Sequence, residues 1–283
     1  MLVGVDLGGS KALGVLWAPE TGEVLARQQV PADGEAEGLV ETIVGLVGSL
    51  IEGRDEVPAA VGLGVAGLAH RSGVVRYSPK VPGLVEYPIA DAVGSRLGVP
   101  VTLVNDASAG ALAEARLGAG RGVDDFVYVA LGTGIGVGLV VGGRLVTGAH
   151  GFAGEAGPIT VDRHGPEHLT GRRGPWEYYA SGSALGRLAR EEAAAGRFPA
   201  GIELAGSADA LLGDHLTRAL ADGDHDAARI LDGFCREVAA GAADLVLLLD
   251  PRRLVLGGGL TGIGEPLRAG VDRWLAEELL GQA

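Results

Sequence analysis

Three times in this sequence an apolar, strand-like run ends in a cluster of glycines. The clusters are Asp6-Leu7-Gly8-Gly9-Ser10-Lys11, Leu131-Gly132-Thr133-Gly134-Ile135-Gly136 and Leu256-Gly257-Gly258-Gly259. Glycine adopts backbone conformations that side chains forbid, so such clusters let a strand reverse tightly or let backbone approach a ligand closely. The first two lead into further apolar runs, Ala12–Trp17 and Gly138–Val141, and read as hairpins bent around a glycine turn. The echo of strand, turn and strand suggests two lobes built on a common plan. Turns of this kind can also aim successive N–H groups at an anion, and phosphate oxygens fit that arrangement. Two carboxylates, Asp6 and Asp106, stand at strand ends among these turns.

At 283 residues the chain exceeds what one core usually fills, so a two-lobed α/β protein with a ligand cleft is expected. We divide it into a smaller N-terminal lobe, residues 1–107, and a larger C-terminal lobe, residues 108–283. In the first, a strand over Glu23–Val30 precedes a helix over Ala36–Ile51 whose apolar face is Leu39, Ile43, Leu46, Val47 and Leu50. A strand over Ala60–Val65 and a loop-rich stretch around Pro79, Pro82 and Pro88 come next. Val101–Val104 reads as a buried strand, and Asn105 or Asp106 caps the helix that runs on to about Leu117. Beyond Ser183 the chain reads as largely helical, through Arg187–Ala195, Ala208–Leu220 and Asp226–Leu249, before the late strand Leu254–Leu256.

Composition excludes several classes of function. A net charge of -13, with only Lys11 and Lys80 as lysines, argues against nucleic acid as a partner, because such binders gather basic residues to displace counterions. The single Cys235 cannot form an intramolecular disulfide and falls among Leu231, Phe234 and Val238 at helical spacing, as an inert core thiol would. No basic-then-apolar leader precedes Leu2 and no apolar run approaches a membrane span, so a cytoplasmic protein with no membrane contact is expected. Gly4 to Lys11 is not a P-loop, since Ser10 stands where the lysine belongs and a strand follows. Gly62 to Gly67 spells a dinucleotide fingerprint, yet Gly73, Pro79 and Pro82 leave no phosphate-facing helix after it. No Gly-x-Ser-x-Gly elbow marks an acyl hydrolase.

From Val3 to about Leu267 the chain resembles the ROK sugar kinases of the actin and hexokinase ATPase superfamily. Asp6 to Lys11 is similar to the family's DLGGTK phosphate segment, Val104-Asn105-Asp106-Ala107-Ser108-Ala109 to VNDANA, and Leu131 to Gly136 to the second phosphate segment. Gly154-Glu155-Ala156-Gly157 resembles the sugar-binding GExGH, Trp176-Glu177 with Ala180-Ser181-Gly182 the WExxASG segment, and Val255 to Gly259 the adenosine-side LGGG. The resemblance implies a two-lobed actin/hexokinase-like (ribonuclease H-like) α/β fold with mixed sheets and a central cleft, and a homodimer. It implies ATP as donor with Mg²⁺, and transfer to a hexose hydroxyl, first the 6-hydroxyl of glucose, with Asp106 as base. Asn105, Asp106, Glu155 and Glu177 would hold sugar hydroxyls, with Gly67 in the facing loop and Lys80 nearby. Gly8, Gly9, Ser10, Lys11, Gly132, Thr133, Gly134, Gly258 and Gly259 would line the nucleotide side, and Asp6 would orient water on Mg²⁺. The chemistry suits these residue types: phosphoryl transfer needs positioning and charge neutralisation, and the base accepts its proton late. Outside the resemblance, Asp106 is also explained as a helix cap, Glu155 and Glu177 as solvated acids, and Lys11 as an exposed strand residue.

The chain departs from that family at several points. The family's structural zinc is held by the histidine of GExGH and by Cys-x-Cys-Gly-x2-Gly-Cys; here Pro158, Thr170 and Pro175 replace three ligands and only His168 remains. No structural zinc is expected, because such a site needs four ligands. A substitute cluster of His150, His164 and His168 is the alternative set against that expectation. Lys80 stands in Pro79-Lys80-Val81-Pro82-Gly83 where many relatives carry asparagine, and the chain stops at Ala283, sooner than relatives do. Altered contacts to sugar hydroxyls discriminate strongly, so an amino sugar such as kanosamine or an N-acetylhexosamine stands beside glucose as a substrate. Donor choice between ATP and polyphosphate is open. A non-catalytic sugar-sensing paralogue is the competing class; with the first strand read as beginning directly at Met1, no DNA-binding helix-turn-helix is expected.

Overall fold

The computed structural model describes residues 1–32, 34–54, 56–167 and 171–279. They form two compact units, Met1–Ala113 with Leu145–Gly154, and Glu114–Arg144 with Glu155–Ala283. The first unit therefore takes back a strap of chain, Leu145–Gly154, whose flanks belong to the second.

In the first unit, β1 (Leu2–Leu7), β2 (Lys11–Ala18), β3 (Glu23–Pro31), α1 (Ala36–Leu50) and β4 (Val61–Val65) follow one another. Three short strands come next, β5 (Leu68–His70), β6 (Val74–Tyr77) and β7 (Val85–Tyr87), then α2 (Ile89–Leu97), β8 (Val101–Asn105) and α3 (Asp106–Leu117), which runs across the division. The main sheet has the order β3-β2-β1-β4-β8, with β1 antiparallel to β2 and parallel to β4. Alternation sets its faces: Val3, Val5 and Leu7 are buried, while Gly4 and Asp6 point the other way. The buried stripe of α1 is the apolar face read from the sequence, with Val40 added. It packs so closely that a Cβ on Gly14 of β2 would come within 2.7 Å of Leu50. The strap is held just as tightly. Arg71 N donates to His150 O (3.2 Å), the His70 and His150 rings stack at 6.0 Å, and Gly151 lies on the Ala69 carbonyl with no room for a side chain.

The second unit repeats the plan. β9 (Phe126–Leu131) is antiparallel to β10 (Ile135–Val141) and parallel to β12 (Arg253–Gly257), in the order β11-β10-β9-β12, with β11 at Arg144–Leu145. The echo seen in sequence thus extends to topology, a hairpin flanked by a parallel third strand. Between these strands lie α4 (Trp176–Ala180), α5 (Gly182–Ala194), α6 (Pro199–Ala205), α7 (Gly213–Ala221) and the 25-residue α8 (His225–Leu249). A 3-10 turn over Gly259–Ile263 and α9 (Glu265–Glu278) follow. The core gathers Trp176, Leu185, Phe198, Phe234 and Val238, and Cys235 is buried among them.

Two expectations are corrected. The loop-rich stretch expected after Val65 keeps Pro79, Pro82 and Pro88 outside strands but also holds a three-stranded sheet, β5-β6-β7, whose strands are too short to show a period. The helix expected over Ala208–Leu220 starts only at Gly213, and α6, opened by Pro199 at its first turn, precedes it. The glycines after β12 turn into a 3-10 segment, in keeping with the turn expected there. Among the described residues no helix is long and apolar enough to cross a membrane.

Candidate active site

The first unit gathers its candidate residues at the ends of its parallel strands. Asp6 of β1 pairs with Gly64 of β4, and Gly64 with Val104 of β8, one residue short of Asn105. Paired positions share a face, so Asp6 looks across a residue with no side chain; a Cβ on Gly64 would sit 3.9 Å from the Asp106 Cα. The helix cap falls to Asn105, whose Oδ1 accepts from Ala107 N (2.9 Å) and Ser108 N (3.2 Å). Its Nδ2 donates to Gly67 O (3.2 Å), tying the strand end to the neighbouring loop. Asp106 Oδ1 accepts from Ala107 N (2.9 Å), which fixes the carboxylate at the first turn of α3. Burial, and after it the Asp106 charge, push the Asp6 carboxyl above its ordinary value, while Lys80 and then Lys11 pull it down. Asp6 nonetheless has an exposed side. We give more weight to the repulsion from Asp106, because Gly64 provides the opening that lets the two carboxylates interact.

The segment from Tyr77 to Val81 is wedged against both glycine loops. Ser78, 1% exposed, donates from Oγ to Ala66 O (2.6 Å) and accepts from Val81 N (3.0 Å). Gly67, at φ +127°, has Tyr77 O and Ser78 Cα where a Cβ would go; at Gly9 a Cβ would lie 2.5 Å from the Lys80 carbonyl oxygen and 3.3 Å from the Lys80 Cβ. Gly8 N donates to Lys11 O (3.0 Å), closing the turn between β1 and β2, and Ser10 O accepts from Ala32 N (3.1 Å). Lys11, Lys80 and Ser10 are exposed.

The second unit gathers the remaining candidates. Gly182 N donates to Gly132 O (2.7 Å) and Ser183 Oγ to Thr133 O (2.8 Å), so two successive carbonyls of the turn face the start of α5. In a trans peptide the N–H points opposite to its carbonyl, so the Thr133 and Gly134 amides are aimed away from α5, as an anion would require. Glu177 Oε2 accepts from Ile135 N (2.8 Å), and its own N–H donates to Gly157 O (3.0 Å). Glu177 thus braces the phosphate-type turn against the segment that carries Glu155, which is exposed. Gly258, at φ +83°, packs on the end of β9, where a Cβ would lie 2.5 Å from Leu131 O, and this sets Gly258 and Gly259 beside the Gly132 turn. A cavity of about 310 Å³ next to the turn is lined by Thr133, Glu177, Tyr178, Ser181, Ser183 and Arg187, among others. Ser78, Ser181 and Ser183 were not singled out by sequence reasoning as bracing residues. Their only local signal was a serine beside a glycine or proline at an element boundary.

His168 and Thr170 lie outside the described residues. The flanking loop is organised around Asp162: Oδ1 accepts from His164 N (2.8 Å) and Oδ2 from the Tyr179 hydroxyl (2.8 Å), while Asp162 N and Val161 N donate to Gly174 O. The His164 amide and then Tyr179 hold the Asp162 carboxyl below its ordinary value, and burial with this hydrogen bond pushes Tyr179 up to about 12. Among the described residues no group of three or more His, Cys, Asp or Glu side chains is placed to hold a metal ion.

Two hairpin-plus-parallel-strand units, with paired carboxylates at the strand ends of one and glycine turns in both, define an α/β protein of the actin/hexokinase type. The chain belongs to the ROK family, whose profile it matches over residues 2–283. It is 36% identical to a glucokinase of Streptomyces coelicolor, the match covering 97% of this chain and 88% of that protein. An N-acetylmannosamine kinase of Escherichia fergusonii is 30% identical over 97% of this chain and 88% of its own length. Among solved structures, a ROK family glucokinase of Streptomyces griseus in complex with glucose and AMPPNP superposes with a TM-score of 0.88 at 36% identity, covering 99% of this chain and 90% of that one.

Proposed function

We propose that this chain is an ATP-dependent hexose kinase, with the 6-hydroxyl of glucose as its first acceptor and Asp106 as the general base. The observation that carries the base assignment is that Asn105 performs the cap, while Asp106 sits across the bare Gly64 from Asp6. The similarity to glucokinases, one of them bound to glucose and AMPPNP, supports the substrate pair. In the reaction the sugar hydroxyl attacks the γ-phosphorus, the bond to the β–γ bridging oxygen breaks, and the hydroxyl proton passes to a carboxylate oxygen of Asp106. Gly9 and Ser10 in one turn, and Thr133 and Gly134 in the other, would present backbone amides to phosphate oxygens, and Gly258 and Gly259 would flank the nucleoside. Asn105, Glu155 and the Gly67 loop would receive sugar hydroxyls. Glu177 acts on the sugar side through Gly157 as well as bracing Ile135.

Paired carboxylates that repel one another suit a divalent cation, and Asp6 would hold Mg²⁺ through water. When bound, Mg²⁺ neutralises charge on the nucleotide phosphates. A lone, buried cysteine, with no pair of cysteines for an intramolecular disulfide, supports a cytoplasmic setting. The test is a coupled ADP-release assay with ATP and Mg²⁺ across glucose, mannose, N-acetylmannosamine and kanosamine. Asp106→Asn is expected to lower kcat by about 10²- to 10⁴-fold. Undiminished turnover in that variant would remove Asp106 from its role, and turnover of N-acetylmannosamine alone would move the substrate to the amino-sugar class.

A further inference from the structure

Of the 23 basic residues in the chain only two are lysines, and both stand against one glycine turn. Lys11 opens β2, directly after the glycine turn that follows Asp6. Lys80 reaches the same place by another route. Its main chain is fixed by the buried Ser78, whose hydroxyl is bonded at both Ala66 O and Val81 N, and its carbonyl and Cβ bear directly on Gly9. The side chain therefore starts at the phosphate-type turn.

Resting on the kinase reading above, we propose that Lys80 is a catalytic cation of the phosphoryl-transfer step, with Lys11, and not a sugar-hydroxyl ligand. Among the described residues neither lysine closes an ion pair within 4.0 Å. An ammonium that closes no ion pair keeps its three donors for another anion. A lysine head is also a compact point charge on a flexible stem, suited to following a phosphoryl group as it moves between oxygens, where the rigid fork of arginine is not. A cation reaching from beside Gly9 would contact the bound phosphate and be drawn on more strongly as charge develops on the transferring oxygens, while the bridging bond breaks and the sugar–phosphorus bond forms.

The experiment compares wild type, Lys80→Met and Lys80→Arg in steady state with glucose and ATP–Mg²⁺, together with calorimetric binding of AMPPNP–Mg²⁺ to each protein. Lys80→Met is expected to lower kcat by about 10²-fold, as for removal of one charge-stabilising donor, with the glucose KM changed less than threefold. Lys80→Arg is expected to restore part of that loss. A tenfold rise in glucose KM with kcat unchanged, or no change in either constant, would overturn the assignment. Should wild type turn over none of the sugars tested, the kinase reading fails by itself and the calorimetry decides on Lys80. Binding of AMPPNP–Mg²⁺ at least tenfold weaker in Lys80→Met would still support a phosphate contact, and equal binding would refute it.

Discussion

The same substitution at two places in one helix is expected to act with opposite signs. Gly233 and Gly241 both lie within α8. At Gly233 a Cβ would meet nothing within 4 Å, so Gly233→Ala should bring only the gain in helix propensity, about 0.8–1.0 kcal/mol. At Gly241 a Cβ would come closer than 3.0 Å to three atoms of the Trp176 indole. That ring cannot withdraw: it is 1% exposed, packed in the core, and its Nε1 donates to the Glu237 carbonyl one turn earlier in the same helix (3.0 Å). Overpacking a filled core costs typically 1–3 kcal/mol, and a fixed ring places this site near about 3. Subtracting the propensity gain of about 1 leaves Gly241→Ala destabilised by about 2 kcal/mol, a fall of roughly 4–8 °C in Tm for a unit of this size. Thermal and urea unfolding, followed by tryptophan fluorescence for the second unit, measures both variants. If Gly241→Ala is stabilised as much as Gly233→Ala, the packing of Trp176 on α8 is wrong as drawn.

Three further outcomes follow from the charges and the thiol. Glu192 is held down to about 2, by the Arg197 hydrogen bond first and by Arg229 after it. Its contribution is fully present above the ordinary glutamate value of about 4.5 and lost as pH falls from there towards about 2, so Glu192→Gln should flatten the acid limb of the unfolding curve in that window. An unchanged acid limb would show that the Arg197–Glu192–Arg229 cluster has no net effect. Cys235, fully buried and pushed up to about 12 by burial, should resist a thiol reagent at pH 8 until the second unit unfolds; labelling at the rate of a free thiol would contradict its burial. Metal analysis of protein purified without chelator should find no stoichiometric zinc, and EDTA should leave the Tm unchanged, because the Asp162 and Tyr179 hydrogen bonds organise the loop; one zinc per chain would overturn that account.

What the sequence made legible is what local pattern determines. The hairpin of β1 and β2 and the buried stripe of α1 follow from periods of 2 and 3.6, and the Cys235 neighbourhood follows from helical spacing. Strands of three or four residues, as in β5 to β7, are shorter than the window in which a period declares itself. The site was legible as residue types at strand ends but not as contacts. The Glu177–Ile135 brace spans 42 positions and the Ser78–Ala66 bond 12, and both depend on tertiary placement. Whether Asn105 or Asp106 capped α3 was likewise a matter of side-chain rotation, which only coordinates resolve.

The strap Leu145–Gly154 imposes an order on assembly. As the chain leaves the ribosome, the first unit stays unfinished until Gly154 has emerged, by which time β9 and β10 have already been made. That hairpin in turn must wait for its parallel neighbour, which arrives only with Arg253. The two halves therefore mature interleaved rather than one after the other, and neither can be excised as a single uninterrupted stretch of polypeptide.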